Sequence, residues 1–153
     1  MKVVGIDPGM TGAWAVLNGE AYTVSDLPLM RDKALAWIDC DTLMSELMGW
    51  RAGDNLMTCY IERQSARPGQ GAAGTFKSGM VLGSIIAACQ AAACRVEFVS
   101  AGAWKRALGL SSDKNASLDK ARLLFPHASL DRQKDHNRAE ALLIAYYARS
   151  KQA

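Results

Sequence analysis

The sequence predicts an α/β fold: one mixed central sheet, its first strands antiparallel, flanked by helices. Three observations carry this. Residues 2–7 form a short run rich in valine and isoleucine, the pattern of a strand buried on both faces. Two further runs meet at Asn18-Gly19, and Asn-Gly is the strongest short hairpin signal because both residues tolerate positive φ. Beyond Pro28, helical apolar stripes alternate with short strand-like runs, which brings later strands parallel to the first.

The elements follow in order. The first strand, 2–7, ends at Asp7-Pro8-Gly9, and residues 12–18 and 20–26 pair as a hairpin. Pro28 and the charged patch Arg31-Asp32-Lys33 read as a connection. Leu43, Met44, Leu47 and Met48 share one stripe and predict a helix over 41–50. Residues 57–62 read as a buried strand, followed by a loop of small and basic residues from Arg63 to Gly71. A long helix over 74–93 is dominated by small residues, including Gly79, Gly83, Ala87 and Ala88. Val96 to Val99 is a short strand, 103–108 and 117–125 are short helices, and Pro126 stops the second. A final helix covers 136–150. With 153 residues and no internal repeat, the chain makes one domain. Asp7 and Glu62 then end neighbouring strands at one sheet edge, where such folds place their sites.

Composition narrows the function classes. Half the residues are hydrophobic and 22% charged, ordinary for a folded protein. A formal net charge of +3 permits nucleic-acid binding without requiring it. Cys40, Cys59, Cys89 and Cys94 form no Cys-x-x-Cys pair and lie in apolar surroundings, as small hydrophobes do. Neither a zinc site nor a disulfide framework is expected. The apolar stretch 80–94 is broken by Gly83, Ser84 and Gln90 and is expected not to span a bilayer. The N-terminus is expected to run straight into a strand, without a secretory leader. These features predict a soluble, reduced, cytoplasmic protein without a membrane partner.

Three acidic residues carry the chemistry. Asp7 and Glu62 end apolar strands, and Glu140 lies inside an apolar helical pattern. A buried carboxylate is costly unless a cation compensates it. Three on elements able to converge point to a hard divalent metal and to metal-assisted phosphodiester hydrolysis. Each has an ordinary explanation taken singly: a strand-ending turn at Asp7, pairing of Glu62 with Arg63 or Arg67, an exposed helix position for Glu140. Their order and spacing together are more specific. Arg63, Arg67 and Lys77 flank the loop after Glu62, while Lys105, Arg106, Lys114, Lys120 and Arg122 cluster before the last helix. Such residues make phosphate contacts that position DNA, although a solvated face is their default role.

Asp7-Pro8-Gly9 with Thr11-Gly12, Tyr60-Ile61-Glu62, and Arg138-Ala139-Glu140-Ala141-Leu142 resemble the three acidic motifs of RuvC-type Holliday junction resolvases. The likeness extends to Arg67-Pro68-Gly69-Gln70-Gly71, Phe76-Lys77-Ser78-Gly79, Trp104-Lys105 and Leu124-Phe125-Pro126, nearly the whole chain. It is nearest to the short resolvase-like proteins of phages and prophages. The resemblance implies an RNase H-like fold and a homodimer that resolves four-way DNA junctions by paired nicks in a bacterial host cytoplasm. It also implies two Mg²⁺ ions per active site, with Mn²⁺ as a substitute. Asp7 would bridge the ions, Glu62 would bind one and Glu140 the other.

Two departures stand out. The family places an aspartate or histidine three residues before the last acid, where this chain has Asn137. His136 shares a helical face with Glu140 and is placed first as fourth ligand or proton-transfer group. Asp135 follows, with capping as its alternative role, and Asn137 is third. The family's junction-stacking aromatic, three residues after the second acid, is Ser65, for which Phe76 or Arg67 could substitute. Lys105 and Lys114 resemble two lysines that approach the scissile region. Gly79 and Gly83 mark the natural dimer seam. Competing expectations are a monomeric RNase H-like nuclease acting on RNA or branched DNA, and a junction-binding protein that does not cut. Residues 7–12 also resemble the phosphate-binding hairpin of sugar kinases and actin-like ATPases, which are far longer chains.

Overall fold

The computed structural model describes residues 2–51 and 56–152. Its centre is a five-stranded sheet in the order β3-β2-β1-β6-β7. Strands β1 (Lys2–Asp7), β2 (Ala13–Asn18) and β3 (Ala21–Asp26) form an antiparallel meander. Gly19, at φ +60°, supplies the turn that Asn18-Gly19 promised. Strands β6 (Thr58–Glu62) and β7 (Arg95–Val99) then run parallel to β1. The mixed sheet is therefore the one expected.

Side chains alternate across a strand, so β1 divides its residues between two cores. Val4 and Ile6 join Val16, Cys59 and Ile61 beneath α1 (Cys40–Arg51) and α2 (Gly71–Ala91). Val3 faces the other way, with Ala15, Leu17 and Tyr60, against α3 (Ala101–Ala107), α4 (Lys114–Leu124) and α5 (His136–Gln152). Asp7 and Glu62 share the parity of Val3 and Tyr60, so both belong to the α5 face.

Helix starts follow local chemistry. Asp39 accepts from Thr42 N and Oγ1 ahead of α1, Ser100 Oγ from Ala103 N at α3, and Asp113 from Asn115 N at α4. The caps explain why α3 and α4 begin two and three residues earlier than expected; apolar spacing alone does not register a cap.

Residues 28–39, expected as a connection, hold a second hairpin of β4 (Leu29–Asp32) and β5 (Leu35–Ile38). Its turn places Lys33 at φ +48°, a conformation normally marked by glycine or asparagine, so the sequence carried no hairpin signal. A short 3-10 turn, Gln133–Asp135, also precedes α5.

Helix α2 has 21 residues and is long and apolar enough, by length and composition only, to cross a membrane. That departs from the shorter, interrupted stretch anticipated. Val81, Ile85, Ala88 and Cys89 bury one face of it in the sheet core. All four cysteines are free, and Cys59, Cys89 and Cys94 are buried.

Candidate active site

Gly5 sets the distance between β1 and α5. A Cβ there would lie 2.2 Å from the Ala141 carbonyl oxygen and 2.4 Å from Ala145 N, so only a glycine admits the helix this close. A glycine inside a buried strand is the mark of such backbone approach. Glu140, next to Ala141, is thereby held over the sheet edge. Parallel pairing of Ile6 with Ile61 leaves Asp7 and Glu62 side by side, one residue beyond. Gly12 packs against the same edge, where a Cβ would lie 2.2 Å from the Asp7 carbonyl oxygen.

The three acids are buried: Asp7 is 9% exposed, Glu62 8% and Glu140 6%. Burial pushes the Asp7 carboxyl up to about 8, reinforced by the negative charges of Glu140 and Glu62 and opposed by Lys114 and Lys105. Glu62 is raised by burial too, with the Trp104 hydrogen bond and Lys105 and Arg67 acting against it and Glu140 adding to it. The carboxylates thus sense one another across three elements remote in sequence.

Helix α3 supplies their partners. Trp104 Nε1 donates to Glu62 Oε2 at 2.8 Å, and Lys105 Nζ stands 2.8 Å from Glu140 Oε1. The second contact is an ion pair by charge and distance; the ammonium is not aligned to hydrogen-bond that oxygen. No sequence signal assigned Trp104 a role, because nothing in a pattern of residues reveals where an indole N–H will point.

The fourth-position candidates have other partners. Asp135 accepts from Arg132 N, Nε and Nη2, and these bonds outweigh burial and hold its carboxyl below the usual range. His136 Nδ1 lies 3.3 Å from the Gln133 carbonyl oxygen. Both line a cavity of about 430 Å³ with Thr11, Asp26, Asn137 and Arg138. Asn137 Nδ2 donates to Thr11 O at 2.6 Å, tying α5 to the loop after Asp7. Arg138 makes a paired contact with Asp26, Nε to Oδ1 at 2.6 Å and Nη2 to Oδ2 at 2.8 Å. The hydrogen bonds of Asp135 and the near contact of His136 lie with Arg132 and Gln133, in the turn ahead of α5.

Among the described residues, no three His, Cys, Asp or Glu side chains are drawn together tightly enough to form a ready metal cage. The donor set nevertheless fits a hard cation. Three buried carboxylates repel one another, Glu140 Oε1 lacks a hydrogen bond, and all donors are oxygens. A second cavity, of about 270 Å³, runs from Pro8 and Gly9 past Gln64 and Gln70 to Lys77 and Ser78. Of the basic residues singled out, Lys105, Lys114 and Arg67 act on the acids electrostatically and Lys77 lines this cavity. Arg63 and Arg106 are exposed.

No protein-family model matches the chain, and no curated protein matches it. Solved structures do. Thermus thermophilus RuvC in complex with Holliday junction substrate superposes with a TM-score of 0.62 at 19% identity, covering 98% of this chain and 96% of that one. A second Thermus thermophilus RuvC structure gives 0.56 at 21% identity, covering 99% and 97%. Along nearly its whole length, this chain has the RNase H-like α/β fold of RuvC, a five-stranded mixed sheet flanked by helices.

Proposed function

We infer that the chain is a structure-specific DNA endonuclease that resolves four-way junctions by metal-dependent phosphodiester hydrolysis. What supports this is the burial of Asp7, Glu62 and Glu140 in a fold shared with a junction-bound RuvC, where the charges of Glu140 and Glu62 both act on Asp7. Asp7, Glu62 and Glu140 would hold two Mg²⁺ or Mn²⁺ ions, with a fourth donor from His136, Asp135 or Asn137. The ions would supply an activated water and neutralise charge on the leaving oxygen.

In this reaction a water oxygen bonds to phosphorus, one phosphorus–oxygen ester bond breaks, and the departing oxygen gains a proton. Protein groups orient and screen. The Trp104 N–H fixes one Glu62 oxygen, leaving the other free to bind. Lys105 and Lys114 put positive charge beside carboxylates that a phosphodiester must approach. Arg67 and Lys77 extend that charge along the loop and cavity next to Pro8-Gly9, a course suited to a DNA strand. Arg63 and Arg106 complete the phosphate contacts.

A homodimer is part of the proposal. Cuts symmetric about a junction's two-fold axis require two sites related by that axis. Helix α2 carries an outward stripe of Phe76, Gly79, Gly83 and Ala87; Phe76 is 75% exposed and the two glycines face open space. The small residues of this stripe would admit a second α2 at close range.

The test is a cleavage panel of synthetic four-way junction, flap and duplex DNA with Mg²⁺, run beside gel filtration. Paired nicks in the junction, lost in Asp7→Asn, are expected from a protein eluting as a dimer. Junction binding without cutting at any Mg²⁺ or Mn²⁺ concentration overturns the catalytic assignment.

A further inference from the structure

Two consecutive residues of α3 grip two different carboxylates. Trp104 holds Glu62 through its N–H, and Lys105 sits against Glu140, each at 2.8 Å. The Lys105 side chain is 18% exposed and that of Glu140 8%, so the ammonium lies largely out of water among the acids. Its other neighbour is the Trp104 ring, 5.1 Å from Nζ to the centroid.

A buried ammonium pays a desolvation cost that only a specific anionic partner offsets. Here that partner is an oxygen that the ammonium meets by charge and distance, without hydrogen-bond alignment. A small doubly charged ion satisfies such an oxygen better than an ammonium does. The carboxylates, meanwhile, are not drawn into a cage. An arrangement with a lysine among them has that property, since the ammonium occupies space and offsets part of their repulsion.

We propose that Lys105 is the resident counter-ion of the metal-free site and that divalent metal displaces its ammonium from Glu140. This rests on the metal-dependent reading above and adds a competition to it. Released from Glu140, the ammonium stays on α3 beside the site, able to meet the phosphate that arrives with DNA. Lys105 is then a positioning residue that keeps the acids together until metal arrives. Its exchange couples metal loading to the presentation of a cation to substrate.

The experiment compares full-length wild type, Lys105→Met and Lys105→Arg without DNA. Free Mn²⁺ is measured by EPR at one fixed pH, and the Tm gain on adding Mg²⁺ is measured in parallel. Lys105→Met is expected to bind Mn²⁺ at least about tenfold more tightly than wild type, the effect of removing a competing cation. Its metal-free Tm should fall and its Mg²⁺-induced gain exceed that of wild type, while Lys105→Arg, keeping the charge, tracks wild type. Equal or weaker Mn²⁺ binding by Lys105→Met overturns the exchange. Absence of Mn²⁺ binding in all three proteins removes the metal reading itself, and the exchange with it. One measurement needs no variant: saturating Mg²⁺ must move the side-chain NMR resonances of Lys105 in wild type. Unchanged resonances with metal bound also overturn the proposal.

Discussion

Gly5→Ala tests the backbone contact that holds the acidic site together. The new methyl carbon would meet the Ala141 carbonyl oxygen at 2.2 Å and Ala145 N at 2.4 Å. Ordinary van der Waals contact begins near 3.4 Å, so β1 and α5 must separate by about 1.2 Å (3.4 minus 2.2). Neither partner is a flexible side-chain tip; both are helix backbone, and relief requires moving the whole helix. Overpacking of this kind costs about 1–3 kcal/mol, and the rigid surroundings favour the upper end. For a chain of this length each kcal/mol lowers Tm by about 2–4 °C, giving an expected drop of about 6–12 °C. Glu140 precedes Ala141 and moves with it, and a misplacement near 1 Å can cost about a hundredfold in rate. Thermal unfolding by circular dichroism and single-turnover junction cleavage measure the two effects. An alanine variant within about 2 °C of wild type and fully active would refute the reasoning.

Further predictions follow from the charges. Asp7 rises from 3.8 to about 8 on folding, so the folded state holds the proton more firmly than the unfolded chain. Its contribution to stability is fully present below about pH 4 and is lost as pH climbs through about 8. Urea titrations in chelator should show metal-free stability falling across that window relative to Asp7→Asn; the opposite trend would remove the assigned cause. Trp104→Phe keeps a ring but leaves Glu62 Oε2 without its donor, at an expected cost of about 1–3 kcal/mol by urea unfolding, with slower cleavage at fixed Mg²⁺. Arg138→Ala removes the paired contact to Asp26, whose side chain is 61% exposed, so screening limits the loss to about 0.5–1 kcal/mol. Arg67→Ala and Lys114→Ala should each lower the slope of log binding constant against log salt by about 1, read by fluorescence anisotropy on junction DNA. An unchanged slope would place that residue off the phosphate path.

The main fold was legible because its signals are local. Valine and isoleucine runs, an Asn-Gly turn and one long small-residue helix each depend on neighbours within a few positions. The β4–β5 hairpin escaped for the same reason in reverse: Lys33 takes a left-handed turn without the residue type that advertises one. Helix boundaries slipped where a cap, rather than the apolar stripe, marks the start, as at Asp113 and Ser100.

By itself the sequence determined the order of the strands' polarity, the burial of β1 on both faces, and the placement of Asp7 and Glu62 at one sheet edge. Those follow from period and burial, properties a linear pattern carries. Tertiary structure alone decided what each acid touches. Glu62 meets an indole 42 residues away and Glu140 meets Lys105. Asp135, though it neighbours the candidate ligand His136, turns to Arg132 instead. The physical reason is that a carboxylate's partner is set by convergence in space at distances of about 3 Å. That convergence depends on how closely α5 can settle against β1, which Gly5 permits and no spacing in the chain expresses.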